Sequence, residues 1–489
     1  MTFDLGAILV GCIAALVNAV FVPARARSWA LLAGSAVAVF WLQPALPIRF
    51  SDFILPAATL ALAVAGWTLT RPPGAAVSHE DRVTLGVLAA VVIGLSLMRF
   101  VGADYRLTAS RPPDPLHVTI VLAVGGVLFA ALARLARRAS LRFVTMLGIL
   151  AVVALFALFK TDALAAEASR IWRGLTEQDA SLAKRADLNW LGFSYVAFRL
   201  IHTLRDRLAG LLPALSLREF VTYVIFFPAF TAGPIDRAER FVADLRGVPS
   251  MRGLDAARLG AARFESGFVR IGLGLFKKFV VADSLALFAL DAVNAAQATS
   301  PAGLWALLLA YSLRLYFDFA GYTDIAIGLG VLFGIQLPEN FERPYLRTSL
   351  TSFWQSWHVT LSSWARFYVF TPLSRWFLTR ERRPSAVVIV LLAQWATMTV
   401  IGLWHGVTLN FAAWGAWHGL GLFVHKQWSD RTRTWYRSLE ERPGHKRAWT
   451  VCAWLVTFLY VVLGWVWFAL PDVGQSAQVL GRLFGIGWR

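Results

Sequence analysis

Charge is scarce in this chain of 489 residues: Asp, Glu, Lys and Arg together make up 16%. Soluble globular domains carry about 25% charged and about 45–50% apolar residues. Here the apolar share is 57% and the mean hydropathy is +0.59. That balance excludes a soluble domain with one anchor, and the many long apolar runs indicate a multi-pass membrane protein. Cysteine is nearly absent. Cys12 and Cys452 lie far apart in apolar segments, so there is no disulfide framework and no Cys-rich metal site. Neither has the basic surroundings that favour a thiolate, and both are expected to be small buried hydrophobes. Acidic residues are few as well, 29 against 47 basic, for a net charge of +18. No nucleic-acid partner is expected from this excess, because Lys and Arg gather in short loops between apolar runs. Cytoplasmic loops have that pattern, and it suits contact with anionic lipid. No G-x-S-x-G nucleophile elbow, H-E-x-x-H or other zinc-ligand spacing is present, so no metal is expected. There is no Gly-rich phosphate loop and no internal repeat.

The first third reads as plain spanning helices: Leu5 to Val22, Trp29 to Pro47, Phe53 to Leu69, Val83 to Met98, Val118 to Leu135 and Phe143 to Phe159. The first run lacks the basic start of a signal peptide and reads as a retained helix. Arg25 and Arg27, Arg71 and Arg82, then Arg134, Arg137, Arg138 and Arg142 mark alternate junctions as cytoplasmic, which puts the N-terminus outside. Residues 1–165 are thus expected to form an N-terminal transmembrane region without chemistry. After the polar connection Asp162 to Asp187 the texture changes. From residue 186 to 489 the apolar segments are shorter and hold Arg, Asp, Asn, His, Pro and Gly at intervals. Irregular backbone at membrane depth survives only inside protein or beside a water-filled cavity, so this part is expected to be the functional core, with short, tilted or re-entrant helices. Two basic loops, Arg375 to Arg383 and Lys426 to Arg447, read as cytoplasmic.

Three Trp-His pairs stand in the core: Trp357-His358, Trp404-His405 and Trp417-His418. An ionisable side chain in an apolar span is costly, and its default reading is functional. Histidine is also the side chain best suited to move a proton near neutral pH. His405 lies between Trp404 and Gly406 in I-G-L-W-H-G-V, where glycines on both sides of the pair allow close approach of backbone or substrate. His358 follows Phe353, Trp354 and Trp357, spaced as on one helix face. His418 reads as a packing histidine. Asp318 and Asp324 need partners in their apolar segment, and Arg314, Arg343 and Arg347 are the near candidates in sequence. Two prolines bracket Glu339, Asn340, Glu342 and Arg343 in L-P-E-N-F-E-R-P-Y, which makes this a fixed polar turn. A histidine so placed suits the removal of a proton from a hydroxyl that attacks an activated acyl carbon. A transporter or channel, or a non-catalytic scaffold for a partner acyltransferase, are the alternatives. Transporters usually show two related halves, and this chain shows a plain half and a motif-dense one.

Over residues 186–489 the chain resembles the membrane-bound O-acyltransferase family, in its bacterial branch of alginate O-acetylation and teichoic-acid D-alanyl transfer. The motifs are F-F-P-A-F-T-A-G-P-I-D-R, G-L-F-K-K-F-V-V-A-D, D-F-A-G-Y-T-D-I-A-I-G, L-P-E-N-F-E-R-P-Y, F-W-Q-S-W-H-V-T-L-S-S-W, G-L-W-H-G and G-W-V-W-F. Gly233 to Arg237 is similar to the D-alanyl branch and Gly274 to Lys278 to the acetyl branch. Gln355-Ser356 and Arg366-Phe367 depart from the family's pattern. The resemblance implies an all-α polytopic fold with a helical core around a central tunnel, extended here by extra N-terminal spanning helices. It implies catalysis by His405 as general base with His358 as a second functional histidine. Trp404, Trp357 and Asn340 are the expected substrate-binding residues. It further implies a small acyl group, D-alanyl first and acetyl second, with no permanently bound cofactor. The donor would be a thioester on the phosphopantetheine of an acyl carrier protein docking on the cytoplasmic side, or acetyl-CoA. The acceptor would be a hydroxyl of an extracytoplasmic glycan, reached directly or through a small membrane or periplasmic relay protein, at the bacterial cytoplasmic membrane.

Overall fold

A computed structural model of the protein describes residues 4–72, 74–136, 139–247 and 253–487. Among these the fold is all-α. Helices stand at all six expected N-terminal spans: α1 Leu5–Val20, α2 Arg27–Trp41, α3 Ser51–Thr70, α4 His79–Ser96, α5 Pro115–Ala136 and α6 Leu141–Lys160, of which α1 and α2, with 16 and 15 residues, are shorter than the spans expected there. The amphipathic α7, Asp162–Leu175, fills much of the polar connection. Then follow α8 Phe193–Leu208, α9 Leu217–Ile225, α10 Ala238–Gly247, α11 Gly253–Leu275 and the long α12 Pro301–Leu332. The C-terminal third holds α13 Leu350–Trp354, α14 Val359–Ala365, α15 Thr371–Leu378, α16 Ala386–His405, α17 Leu409–Arg431, α18 Pro443–Ala469 and α19 Val473–Leu483. Seven segments among the described residues are long and apolar enough to cross a bilayer: four from α3 to α6, then α12, α16 and α18. Only 6% of the α5 segment is buried within the protein, and Val121, Val127 and Leu132 face outward. Hydrocarbon is the medium that accepts such a surface.

The chain forms two compact units, Met1–Ile271 with Ile325–Pro338, and Gly272–Asp324 with Glu339–Arg489. In the first, Gly66 of α3 lies against Phe220 and Leu200, and the Trp67 indole donates to the Leu215 carbonyl at 2.9 Å. Buried Arg199 of α8 donates to the carbonyls of Val224 and Ala229, satisfying backbone groups where α9 ends. Arg173 and Ser169 of α7 both bond Asp187, a buried group. A cleft of ≈ 410 Å³ in this unit is lined by Phe159, Lys160, Arg185, Trp190 and Phe193, and none of its lining residues is a predicted site residue.

In the second unit the aspartates of α12 are paired, as burial requires, but by lysines and not by the arginines near them in sequence. Lys277 Nζ lies 2.6 Å from Asp324, and Lys278 Nζ lies 2.7 Å from Asp318. The reason is a π-helical turn over Phe276–Ala282, which Gly321 of α12 approaches closely. A Cβ on Gly321 would stand 2.7 Å from the Gly274 carbonyl oxygen and 2.8 Å from the Lys278 nitrogen. Arg347 instead pairs with Glu342.

Two other expectations are corrected. The stretch Lys426 to Arg447 is mostly helical, because α17 continues to Arg431 and α18 starts at Pro443, with a short helix Arg433–Ser438 between them. Its cations sit on exposed helix ends, where Lys426 pairs with Asp430. Cys12 is buried but Cys452 faces outward from α18. The junction residues Arg137 and Arg138 lie outside the described residues.

Helices α16 and α17 pack closely against each other. Gly402, Gly415 and Gly419 bring the two backbones together: a Cβ on Gly415 would meet the Met398 oxygen at 2.5 Å and the Thr399 Cα at 2.7 Å. Small residues at such a seam allow the close approach that packs helices in lipid. Gly34 of α2, by contrast, has open space around it. Gly415→Ala is expected to lower stability by about 1–3 kcal/mol through overpacking. Gly34→Ala is expected to be neutral or to stabilise by up to about 1 kcal/mol. Thermal unfolding in detergent micelles checks the pair, and equal behaviour of the two variants would refute this seam.

Candidate active site

His405 is the last residue of α16, and the chain leaves the helix through Gly406 in an extended conformation. Residue size fixes the exit, since a Cβ on Gly406 would meet the Phe411 ring at 2.7 Å. The half-buried imidazole is walled by rings: Trp404 at 4.5 Å between centroids, Phe468 at 4.8 Å, Trp414 at 5.5 Å and Phe411 at 5.9 Å.

His358 is reached from a different direction. One helix face through Phe353, Trp354 and Trp357 was the expectation, but α13 ends at Trp354 and α14 begins at Val359. His358, between them, has φ 43° and ψ 54°. This left-handed conformation is uncommon for a residue with a side chain and marks local strain. The polar turn holds it there. Phe341 and Trp357 form an isolated antiparallel bridge, with Glu342 N donating to Ser356 O and Val359 N donating to Asn340 O. The Asn340 carboxamide oxygen accepts from the Thr360 hydroxyl at 2.6 Å. Asn340 is fully buried and fixes the backbone just after His358, while Glu342 holds Ser356 before it.

The His358 imidazole is 2% exposed, and neither ring nitrogen has a hydrogen-bond partner among the described residues. It lies outside the seven candidate spans. Burial pulls its pKa well below the ordinary histidine value, which favours the neutral ring. A neutral imidazole carries one donor and one acceptor, and leaving a buried polar group unmet costs about 1–3 kcal/mol. Such orphans in a native fold call for a ligand, a water or a catalytic role.

The second unit thus brings four of the five predicted site residues into contiguous ring contact. Trp404 touches His405 at 4.5 Å and His358 at 6.1 Å, so both imidazoles border one indole. Trp357 stands in the adjoining cage, 5.1 Å from Trp465, which stacks at 5.8 Å on Trp414. Asn340 lies behind them and is bonded to backbone. The sequence reading missed Phe319, Trp414, Trp465 and Phe468 as walls of the site. A signal existed in A-W-G-A-W-H-G and G-W-V-W-F, where aromatic residues recur beside glycine. His418 is fully buried among Trp354, Trp414 and Tyr460, as a packing residue would be, yet neither of its nitrogens has a partner among the described residues.

These features define a polytopic helical membrane protein with two imidazoles bordering one tryptophan in an aromatic core. Sequence comparison makes the class specific. The profile of the membrane-bound O-acyltransferase family matches residues 135–465, and the chain belongs to that family. It is 34% identical to the probable alginate O-acetylase AlgI of Pseudomonas syringae pv. tomato, over 61% of this chain and 52% of that protein. It is 33% identical to a peptidoglycan O-acetyltransferase of Helicobacter pylori, over 55% of this chain and 48% of that one. A teichoic acid D-alanyltransferase of Streptococcus thermophilus is 32% identical over 58% of this chain and 68% of its own length. The matched region spans about half the length of the alginate relatives.

The left-handed backbone at residue 358 gives a direct test. Glycine is free in that region, whereas a side chain costs about 1–2 kcal/mol. His358→Gly is therefore expected to be more stable than His358→Ala by about that amount in thermal unfolding. The reverse order would mean that residue 358 is not held at positive φ.

Proposed function

We propose that this protein is a membrane O-acyltransferase in which His405 is the general base. The observation that carries the reading is the half-buried His405 ring at the end of α16, separated from a second, neutral imidazole by one indole. A ring nitrogen of His405 takes the proton of an acceptor hydroxyl as its oxygen attacks the acyl carbonyl carbon. A C–O bond forms, the C–S bond of the thioester breaks, and the departing sulfur recovers the proton through the imidazolium. The thioester is already activated, so the protein needs to supply a base, a position and a dry environment. His358 offers a donor and an acceptor that no group among the described residues uses, which suits orienting the acceptor or the developing oxyanion.

The acyl group is small, D-alanyl or acetyl, and the relatives' names carry both. The donor is a cytoplasmic thioester, on a carrier protein's phosphopantetheine or on coenzyme A. The acceptor is a hydroxyl on an extracytoplasmic glycan or on a relay protein. The setting is a bacterial cytoplasmic membrane. The exposed cations of α17 and the segment after it form a face on which an acidic carrier would dock.

Full-length protein in nanodiscs, offered D-alanyl carrier protein or acetyl-CoA together with a hydroxyl acceptor, tests the chemistry and separates the donors. His405→Ala is expected to assemble normally and to lose about 10²–10⁴ in transfer rate. Undiminished transfer by that variant would remove His405 from the mechanism. Thioester turnover with neither donor would favour transport or a scaffold role.

A further inference from the structure

We propose that the first unit binds an anionic phospholipid, with the phosphodiester of its headgroup in the cleft at the end of α6. The cleft holds ≈ 410 Å³, within the range of about 300–1,000 Å³ usual for small-molecule sites. Lys160, the last residue of α6, and Arg185 line it together, and Phe159, Trp190, Phe193 and Ser194 are among its other walls.

The charge balance of the cleft calls for an anion. Arg185 is paired with Asp162, Nη1 to Oδ1 at 2.6 Å, and both side chains are exposed, so that pair is close to neutral. Lys160 is half-buried, and its ammonium has no hydrogen-bond or ion-pair partner among the described residues. It stands over the Phe156 ring, 5.9 Å from the centroid. One positive charge is therefore uncompensated where α6 leaves its apolar span, and a phosphodiester supplies the opposite charge with oxygens that accept from the ammonium. The start of α8 forms part of the same wall. Its N-cap is Gly192, no side chain caps its first turn, and Phe193 and Ser194 line the cleft. The open N–H groups and the positive dipole end of such a helix start favour an anion.

The surroundings select a lipid as the carrier of that anion. Only 11% of the α6 span is buried within the protein, and Leu150 and Val153 face outward. Val153 and Lys160 are seven residues apart, two turns along one face of α6. An acyl chain lying along that face brings its headgroup to Lys160. Helix α7 follows at once and keeps Leu164, Ile171 and Leu175 exposed beside its charged residues, as a helix lying in the membrane interface does. Trp190 suits the same depth, since tryptophan gathers at the headgroup level. A sugar acid would match the charge but would need an open aromatic face. Trp190 instead stacks on Phe193 at 4.4 Å, and Phe159 packs edge-on to it at 5.1 Å. By sequence alone Lys160 is the end of a plain span and Arg185 part of a polar connection, and the fold brings the two to one cleft.

The test uses full-length protein in a non-ionic detergent, titrated with phosphatidylglycerol or with phosphatidylcholine and read by native mass spectrometry. Wild type is expected to bind phosphatidylglycerol in preference to phosphatidylcholine. Lys160→Gln is expected to weaken phosphatidylglycerol binding by about fivefold, the effect of one cation beside an anionic headgroup. Lys160→Arg keeps the charge and is expected to retain binding, which separates loss of the site from loss of the fold. Arg170→Gln removes an exposed cation of α7 that pairs with Glu167, and is expected to bind as wild type does. Equal phosphatidylglycerol affinity in wild type and Lys160→Gln, or no preference over phosphatidylcholine, would overturn the proposal. Displacement of the lipid by equimolar glycerol 1-phosphate would overturn it in favour of a free phosphate ester, and displacement by an equimolar oligouronate in favour of an acidic glycan. These readouts are independent of acyl transfer.

Discussion

The close contact of α16 with α17 is the constraint on which the candidate active site depends. Lipid offers no hydrophobic force between helices, so association rests on packing, and packing this tight requires glycine where the backbones meet. Gly402 and Gly406 bracket the Trp404-His405 pair, and Gly415 and Gly419 complete the seam from α17. The glycines that let the helices approach therefore also fix where α16 ends. The end of α16 is where His405 stands. Trp414, from the same face of α17, supplies one wall of the imidazole's surroundings.

His358 is positioned by a different physical device. A left-handed residue is held in place by a two-residue bridge, a buried Asn and a proline-bounded turn. Strained backbone persists where the surroundings over-determine it, and such places concentrate at functional sites. Together with two ring nitrogens that have no partner among the described residues, this makes His358 hard to explain as packing alone. His418 shares the unmet nitrogens but has helical backbone. The chemistry is thus assembled from one histidine on a regular helix end and one on an irregular turn, with Trp404 between them.

The helical class and the six N-terminal helices were legible because long apolar runs allow few alternatives in a membrane. The polar turn at Pro338 to Pro344 was legible because proline restricts the residue before it as well as itself. Partners were less legible. Asp318 and Asp324 were expected to meet the nearest arginines, yet a π-helical turn and Gly321 deliver Lys277 and Lys278 instead. The break at His358 was hidden because its aromatic neighbours keep a helical spacing on both sides of it. The aromatic walls were hidden because Phe and Trp are common throughout the chain and their contacts join distant segments.

By itself the sequence determined the medium, the helical class, the family motifs and the two histidines that the proposed chemistry uses. These follow from composition and from local patterns, which act over a few residues. Only the tertiary structure decided which groups face one another: Trp404 between His358 and His405, lysines beside the α12 aspartates, and Lys160 with Arg185 at one cleft. Pairings of that kind depend on how helices cross, and the crossing is set by where side chains are absent as much as by where they are present.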